Sequence, residues 1–93
     1  MRIPKSFSLM GHTITVEVIP RKRWTLTDCV GMFDPAKNRI YVMRQAKASQ
    51  TSHCFWHEVT HAMLYFMGHK LYTNENFVDQ IGGLLAQIME SKQ

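Results

Sequence analysis

Two histidines at helical spacing are the residues of this sequence best suited to chemistry. His57 and His61 flank Glu58 in the run His57-Glu58-Val59-Thr60-His61. Residues four apart on a helix share one face, so both imidazoles could bind a single cation. A zinc ion held by two histidines has room for a third protein ligand and a water, and a neighbouring carboxylate can accept the proton of that water. The spacing indicates metal-assisted hydrolysis, with one Zn²⁺ ion as the cofactor and Glu58 as the general base.

The third ligand must come from another segment, and the best candidates are the two acidic residues of Asn74-Glu75-Asn76-Phe77-Val78-Asp79. Their spacing places both carboxylates on one face of a helix. One can bind the ion while the other accepts the free ring N–H of a ligating histidine and fixes its tautomer. We assign Glu75 to the metal and Asp79 to this orienting role. The exchanged assignment stays open, because Glu75 would also be favoured at a helix N-terminus.

Two helices are predicted to carry these residues. The first is capped by Ser49, Thr51 or Ser52 and ends at Gly68. Its apolar stripe lies opposite the two histidines and should pack on a sheet; it comprises Phe55, Val59, Ala62, Met63 and Phe66. The histidine face then needs a second partner, which the helix predicted over Thr73 to Glu90 can supply.

This second helix has two contrasting faces. One is an apolar stripe of Phe77, Ile81, Leu84, Leu85 and Ile88. The other aligns Glu75 and Asp79 with Gly82 and Ala86, and Gly83 is adjacent. Because a glycine inside a helix costs up to about 1 kcal/mol relative to alanine, we expect a close approach to the first helix to offset this cost. That approach would bring both carboxylates toward the histidines.

Upstream, alternating and turn-forming residues predict a small sheet. His12 to Ile19 alternates as a half-buried strand does and ends at Pro20. Cys29 to Phe33 and Arg39 to Arg44 form a hairpin around the turn residues 34–38. We therefore predict an α+β fold for a single domain over residues 1–93, with an antiparallel sheet of about three strands followed by two packed helices.

Composition narrows the environment and partners of the chain. Of its 93 residues 45% are hydrophobic, and no apolar run of about 18 residues could span a membrane. With no secretory signal in the sequence, we expect a cytoplasmic protein in which Cys29 and Cys54 are reduced thiols. The net charge of +4 is concentrated in Arg21-Lys22-Arg23 and in Lys37, Arg39, Arg44 and Lys47. We interpret this as a solvated basic face and expect neither nucleic acid nor membrane as a partner.

Residues 52–90 resemble a minimal gluzincin-type zincin metallopeptidase, in which a His-Glu-x-x-His helix is followed by a Glu-x-x-x-Asp segment. The resemblance implies a zinc-dependent hydrolase that cuts a protein or peptide substrate. His57, His61 and Glu75 would be the ligands, Asp79 would orient a histidine, and Glu58 would move the proton from the water to the leaving amine. The metzincin variant does not fit, since Leu64 and Met67 occupy its later glycine and histidine positions.

The size of the chain and the segment from Glu75 to Leu85 are also similar to small phage and prophage zincin-like proteins, and distantly to the ImmA/IrrE metallopeptidase group. The link from His61 to Glu75 is shorter than in large gluzincins, and we expect no second substrate-binding lobe. An alternative function is therefore a non-catalytic, metal-stabilised module of the same fold that binds a host regulator.

Further candidates belong to the cleft such an enzyme would need. Tyr72, His69 and Tyr65 could stabilise an oxyanion, and His53, one turn before His57, could line the cleft. Tyr41, Val42 and Met43 lie in the strand that we expect at the substrate-pairing edge of the sheet, where a peptide could bind by strand addition.

Overall fold

The computed structural model describes residues 2–91 and confirms the predicted α+β class. Four strands form a mixed sheet, one helix packs on a face of this sheet, and a second helix packs on the first. The strands are β1 (Ser6–Leu9), β2 (His12–Ile19), β3 (Gly31–Asp34) and β4 (Arg39–Met43). The helices are α1 (Ala48–Met67) and α2 (Glu75–Ser91), and short 3₁₀ segments span Arg21–Arg23 and Lys70–Thr73.

The sheet contains one strand more than the sequence predicted. β1 pairs with β2 in an antiparallel hairpin, with Phe7 opposite Ile14. The two residues between the strands, Met10 and Gly11, both have positive φ angles, of 50° and 82°. A two-residue loop of this kind matches the twist of a hairpin. The alternation of polar and apolar residues in β1 is the pattern of a half-buried strand.

The strand order is β1-β2-β4-β3, and it corrects the prediction of an antiparallel sheet. β3 and β4 form the predicted hairpin, but β4 lies between β3 and β2 and runs parallel to β2. The connection after β2 therefore crosses to the far edge before the hairpin returns. β3 is thus an edge strand and β4 an interior one.

The main core lies between the sheet and α1. Ile14 and Val16 of β2, together with Ile40 and Val42 of β4, face α1. The predicted apolar stripe of α1 is confirmed: Phe55, Val59 and Ala62 are buried in this core, while Met63 and Phe66 pack against it. Opposite this stripe, α1 presents its histidines away from the sheet.

The helices meet where glycine allows their backbones to approach. A Cβ atom built on Gly82 would lie 2.7 Å from the Cα of His57, closer than real Cβ atoms approach. Val78 and Ala86 are buried one turn to either side. The predicted close approach is confirmed, and it leaves Leu84 and Ile88 of the opposite stripe 58% and 60% exposed.

The sequence indicated the end of α1 and the start of α2, but the predicted start of α1 is wrong. α1 begins at Ala48, so Ser49, Thr51 and Ser52 lie inside the helix, and the N–H of the preceding Lys47 is bound by the side chain of Gln50 instead. α1 ends at Gly68, which adopts a left-handed conformation with φ of 64°. α2 starts after Asn74, whose Oδ1 accepts a 3.0 Å hydrogen bond from the N–H of Phe77.

No helix within residues 2–91 is long and apolar enough to cross a membrane.

Candidate metal centre

His57, His61 and Glu75 converge on one point. Each offers a ligand atom, and these atoms lie within 4.8 Å of one another, an arrangement found once among the described residues. The Nε2 atom of His57 is 3.1 Å from one oxygen of Glu75, and the Nε2 atom of His61 is 2.9 Å from the other. Both imidazoles thus direct the same nitrogen toward a single carboxylate.

The other nitrogen of each imidazole is held by a separate acceptor. His57 Nδ1 lies 3.1 Å from Asp79 Oδ1, and His61 Nδ1 lies 2.9 Å from the backbone oxygen of Tyr72. With Nδ1–H donated to these oxygens, both Nε2 atoms carry lone pairs available to a cation. The hydrogen bond with His57 is the main reason that the pKa of Asp79 is lowered.

These contacts bear on which acidic residue would bind the metal. Glu75 faces the Nε2 atoms, whereas Asp79 contacts the Nδ1 side of His57. The geometry therefore favours Glu75 as the ligand over the exchanged assignment. Two imidazole nitrogens and a carboxylate oxygen are a donor set suited to zinc, and one that leaves a coordination position for a water.

Glu58 lies on the floor of the same cleft and is only 7% exposed. Burial raises its pKa to about 7. The nearby His57 opposes this rise, the charge of Glu75 adds to it, and the backbone N–H of Phe33 favours the ionised form. The result is a carboxyl group that can exchange a proton near neutral pH.

A cleft of about 680 Å³ surrounds these groups. One wall consists of α1 and the start of α2, and the other is the edge strand β3 with the loop that precedes it. Besides the candidate ligands and Glu58, the cleft is lined by Asp28, Cys29, Val30, Gly31, Met32, Phe33, His53, Cys54, Tyr72, Thr73 and Asp79. Burial raises the pKa of both cysteine thiols.

Of the further cleft candidates, the structure brings Tyr72 and His53 to the site but not His69. The ring of Tyr72 packs edge-on against His61, with centroids 5.6 Å apart. His53 Nε2 lies 3.3 Å from Asp79 Oδ1, so His53 and His57 share one carboxylate oxygen. His69 instead accepts a hydrogen bond from the N–H of Leu71 and stacks on Phe77, outside the residues that line the cleft. Tyr65 packs against the ring of Tyr72 and likewise does not line the cleft.

The predicted substrate edge at Tyr41, Val42 and Met43 is wrong. These residues belong to β4, which is hydrogen-bonded on both sides, and Val42 is fully buried. The free edge beside the cleft is β3. Since the N–H of Met43 donates to Val30, the backbone groups of Gly31 and Phe33 point away from β4 toward this edge.

Two features of the site were missed from the sequence. A Cβ on Gly31 would lie 2.8 Å from Oε2 of Glu58, so the missing side chain makes room for this carboxylate. A glycine within a predicted strand was a usable signal of such a close approach. The backbone oxygen of Tyr72 carried no signal, because any residue supplies one.

Comparison of the chain with protein-family models, with curated proteins and with solved structures found no match. The functional assignment therefore depends on the geometry of the site.

Proposed function

We propose that this protein is a zinc-dependent metallopeptidase that hydrolyses peptide bonds in extended protein segments. His57, His61 and Glu75 hold the metal, Glu58 is the general base, and Asp79 orients His57. In this proposal the chain is a minimal gluzincin-type zincin, and the resemblance noted in residues 52–90 adds to the support from geometry.

The observation that carries the proposal is the buried carboxylate of Glu58 beside the histidine pair. Burying a carboxylate destabilises a fold unless a cation pairs with it, and no lysine or arginine within residues 2–91 forms an ion pair with Glu58. A purely structural metal site has no need of such a group. A general base, in contrast, benefits from a pKa near the working pH, and that of Glu58 is about 7.

The surrounding residues can perform the remaining tasks of hydrolysis. Bound zinc supplies Lewis acidity, which lowers the pKa of a water and polarises a carbonyl group. Glu58 accepts the proton of the attacking water and returns it to the leaving amine. Asp79 and the backbone oxygen of Tyr72 hold the two imidazoles in the tautomer that keeps Nε2 free. The Tyr72 side chain, which lines the cleft, is the candidate donor to the developing oxyanion.

The free edge of β3 supports an extended protein segment as the substrate. Gly31 and Phe33 direct their backbone groups toward the cleft. The Phe33 N–H interacts there with Glu58, and the backbone oxygens of both residues can accept hydrogen bonds from a peptide that adds as a further strand. The same two residues contact or face Glu58. A peptide on this edge therefore places its backbone beside the general base.

The test compares the zinc-loaded protein with Glu58→Gln and with a matched control, Glu17→Gln, at an exposed carboxylate on β2. Each is incubated with a denatured protein mixture, and new N-termini are identified by mass spectrometry. We expect the unchanged protein and the Glu17 variant to generate new termini, and the Glu58 variant to generate none while retaining one zinc per chain. Equal cleavage by both variants would overturn the assignment of the base. Partners captured without any new termini would support the non-catalytic module instead.

A further inference from the structure

Charge is distributed unevenly around the cleft. Four of the seven acidic residues of the chain line it: Asp28, Glu58, Glu75 and Asp79. Four of the eleven basic residues collect at one end of the sheet, which we call the basic end: Arg21, Lys22, Arg23 and Arg44. All four are exposed, and none forms an ion pair with a carboxylate among residues 2–91.

The strand register brings the basic end together from two segments. β2 and β4 are parallel and finish level with each other, with Ile19 beside Met43. The N–H of Arg44 donates to the oxygen of Ile19, immediately before Pro20 and the 3₁₀ segment Arg21–Arg23. Arg44 therefore lies next to the three consecutive cations.

The basic end adjoins the cleft through the loop before β3. Trp24, which directly follows the 3₁₀ segment, donates its indole N–H to the oxygen of Cys29 at 2.9 Å. Cys29 and Val30 line the cleft, and Val30 accepts a hydrogen bond from Met43. A strand that extends along β3 past Cys29 thus leaves the cleft at the basic end.

We propose that the basic end binds an acidic segment of the protein substrate, adjacent to the bond that is cut. This deepens and rests on the proposed function, since it names the substrate class for the same cleft. From Phe33 to Cys29 the edge covers four residue steps, of which those from Gly31 to Phe33 are strand while Val30 is a bend, so it spans at most about 13 Å at 3.3 Å per residue. The acidic residues should therefore begin roughly four residues to one side of the scissile bond.

A protein partner fits this surface better than a nucleic acid. With zinc bound, Asp28 and Asp79 are the cleft carboxylates that neither bind the metal nor accept the proton of the water, and they repel a phosphate backbone that continues into the cleft. The free edge of β3 offers backbone hydrogen bonds to a peptide.

Binding is measured by fluorescence anisotropy with the zinc-loaded Glu58→Gln protein, so that turnover does not interfere. Three peptides of about 16 residues share the same uncharged centre. The first carries four glutamates at its N-terminal end, the second carries them at its C-terminal end, and the third has glutamines in their place. A single-stranded oligonucleotide of similar length is the fourth probe. We expect one of the two acidic peptides to bind at least about fivefold more tightly than the glutamine peptide at low salt, and this preference to fall as salt rises.

The variant Arg21→Glu/Lys22→Glu/Arg23→Glu should abolish this preference. Its matched control, Arg2→Glu/Lys5→Glu/Lys37→Glu, changes the net charge equally at exposed positions outside the basic end and should retain it. The milder Arg21→Gln/Lys22→Gln/Arg23→Gln variant serves if the glutamates impair folding. The proposal would be overturned if the basic-end variants and the control lost the preference equally, or if the unchanged basic end showed no preference for either acidic peptide. Tighter binding of the oligonucleotide than of the acidic peptides would also overturn it.

The outcomes for the two proposals can be told apart. If the unchanged zinc-loaded protein cuts the glutamine and acidic peptides with equal efficiency, the acidic-segment proposal fails and the peptidase remains. If the acidic peptide binds through the basic end but no peptide is ever cut, the docking surface stands and the peptidase proposal fails.

Discussion

Replacing Glu58 with glutamine should stabilise the metal-free protein at alkaline pH. The pKa of Glu58 is raised from 4.5 to about 7 in the folded chain, chiefly by burial. Below pH 4.5 the folded and unfolded states are both protonated, and the group does not affect stability. Between pH 4.5 and 7 the unfolded state loses its proton first, so the native state becomes progressively less stable. Above pH 7 the full effect is present.

The size of this effect follows from the shift. A displacement of about 2.5 pKa units corresponds to about 3 kcal/mol at 1.36 kcal/mol per unit. Solvent screening is small because Glu58 is only 7% exposed. Glutamine has nearly the same shape and stays neutral, so the variant should be about 3 kcal/mol more stable at pH 8 and nearly equal at pH 4. In a domain of this size that difference raises Tm by more than about 10 °C.

The assay is urea or thermal unfolding of both proteins, freed of metal by a chelator, at several pH values from 4 to 8.5. Glu17→Gln, at an exposed residue that lies outside the cleft, is the control and should change stability little at any pH. Added zinc should reduce the advantage of the Glu58 variant, since a nearby cation favours the ionised carboxyl. A variant that is no more stable than the unchanged protein at pH 8 would refute the idea that Glu58 is held in a destabilising environment.

Three further predictions concern residues that support the site. Asp79→Asn removes the charged acceptor of His57 Nδ1 and should weaken zinc affinity roughly 10–100-fold. Competition with a chelating dye measures this affinity, and an unchanged value would contradict the orienting role of Asp79. Gly82→Ala places a methyl group against the α1 backbone and should lower the free energy of unfolding by at least about 2 kcal/mol. In the control Gly83→Ala the methyl group meets only a side chain and should be tolerated, so equal losses of stability in the two variants would argue against the close helix approach. Gly31→Ala crowds the buried carboxylate and should reduce kcat of the zinc-loaded protein more than its zinc affinity; a variant with normal kcat would show that the glycine is not required.

Local patterns in the sequence were enough to predict the helices and the central group of the site. Histidines four apart and the carboxylates of α2 lie on defined helical faces, and the contact between these faces was indicated by Gly82. For this reason the amino-acid pattern alone was enough to predict that His57, His61, Glu75 and Asp79 lie together. Their tautomers could not be assigned in the same way, because the acceptor of His61 is a backbone oxygen.

The sheet was less predictable because strand order depends on pairing between distant segments. The alternation in β2 and the turn after β3 identify strands. Neither pattern indicates that β4 lies between β2 and β3 and runs parallel to β2. The substrate edge was placed on β4 for this reason, although the hairpin itself was correct. β1 was missed despite its alternating residues and the glycine at position 11, which together were a usable hairpin signal.

A crystal structure of the zinc-loaded protein, with anomalous data at the zinc edge, would test directly the proposal that the cleft is a catalytic zinc site. We expect a single ion bound by Nε2 of His57, Nε2 of His61 and the carboxylate of Glu75, with its remaining position open toward Glu58. A zinc ion bound elsewhere, or one closed off by a fourth protein ligand such as Cys54, would contradict it.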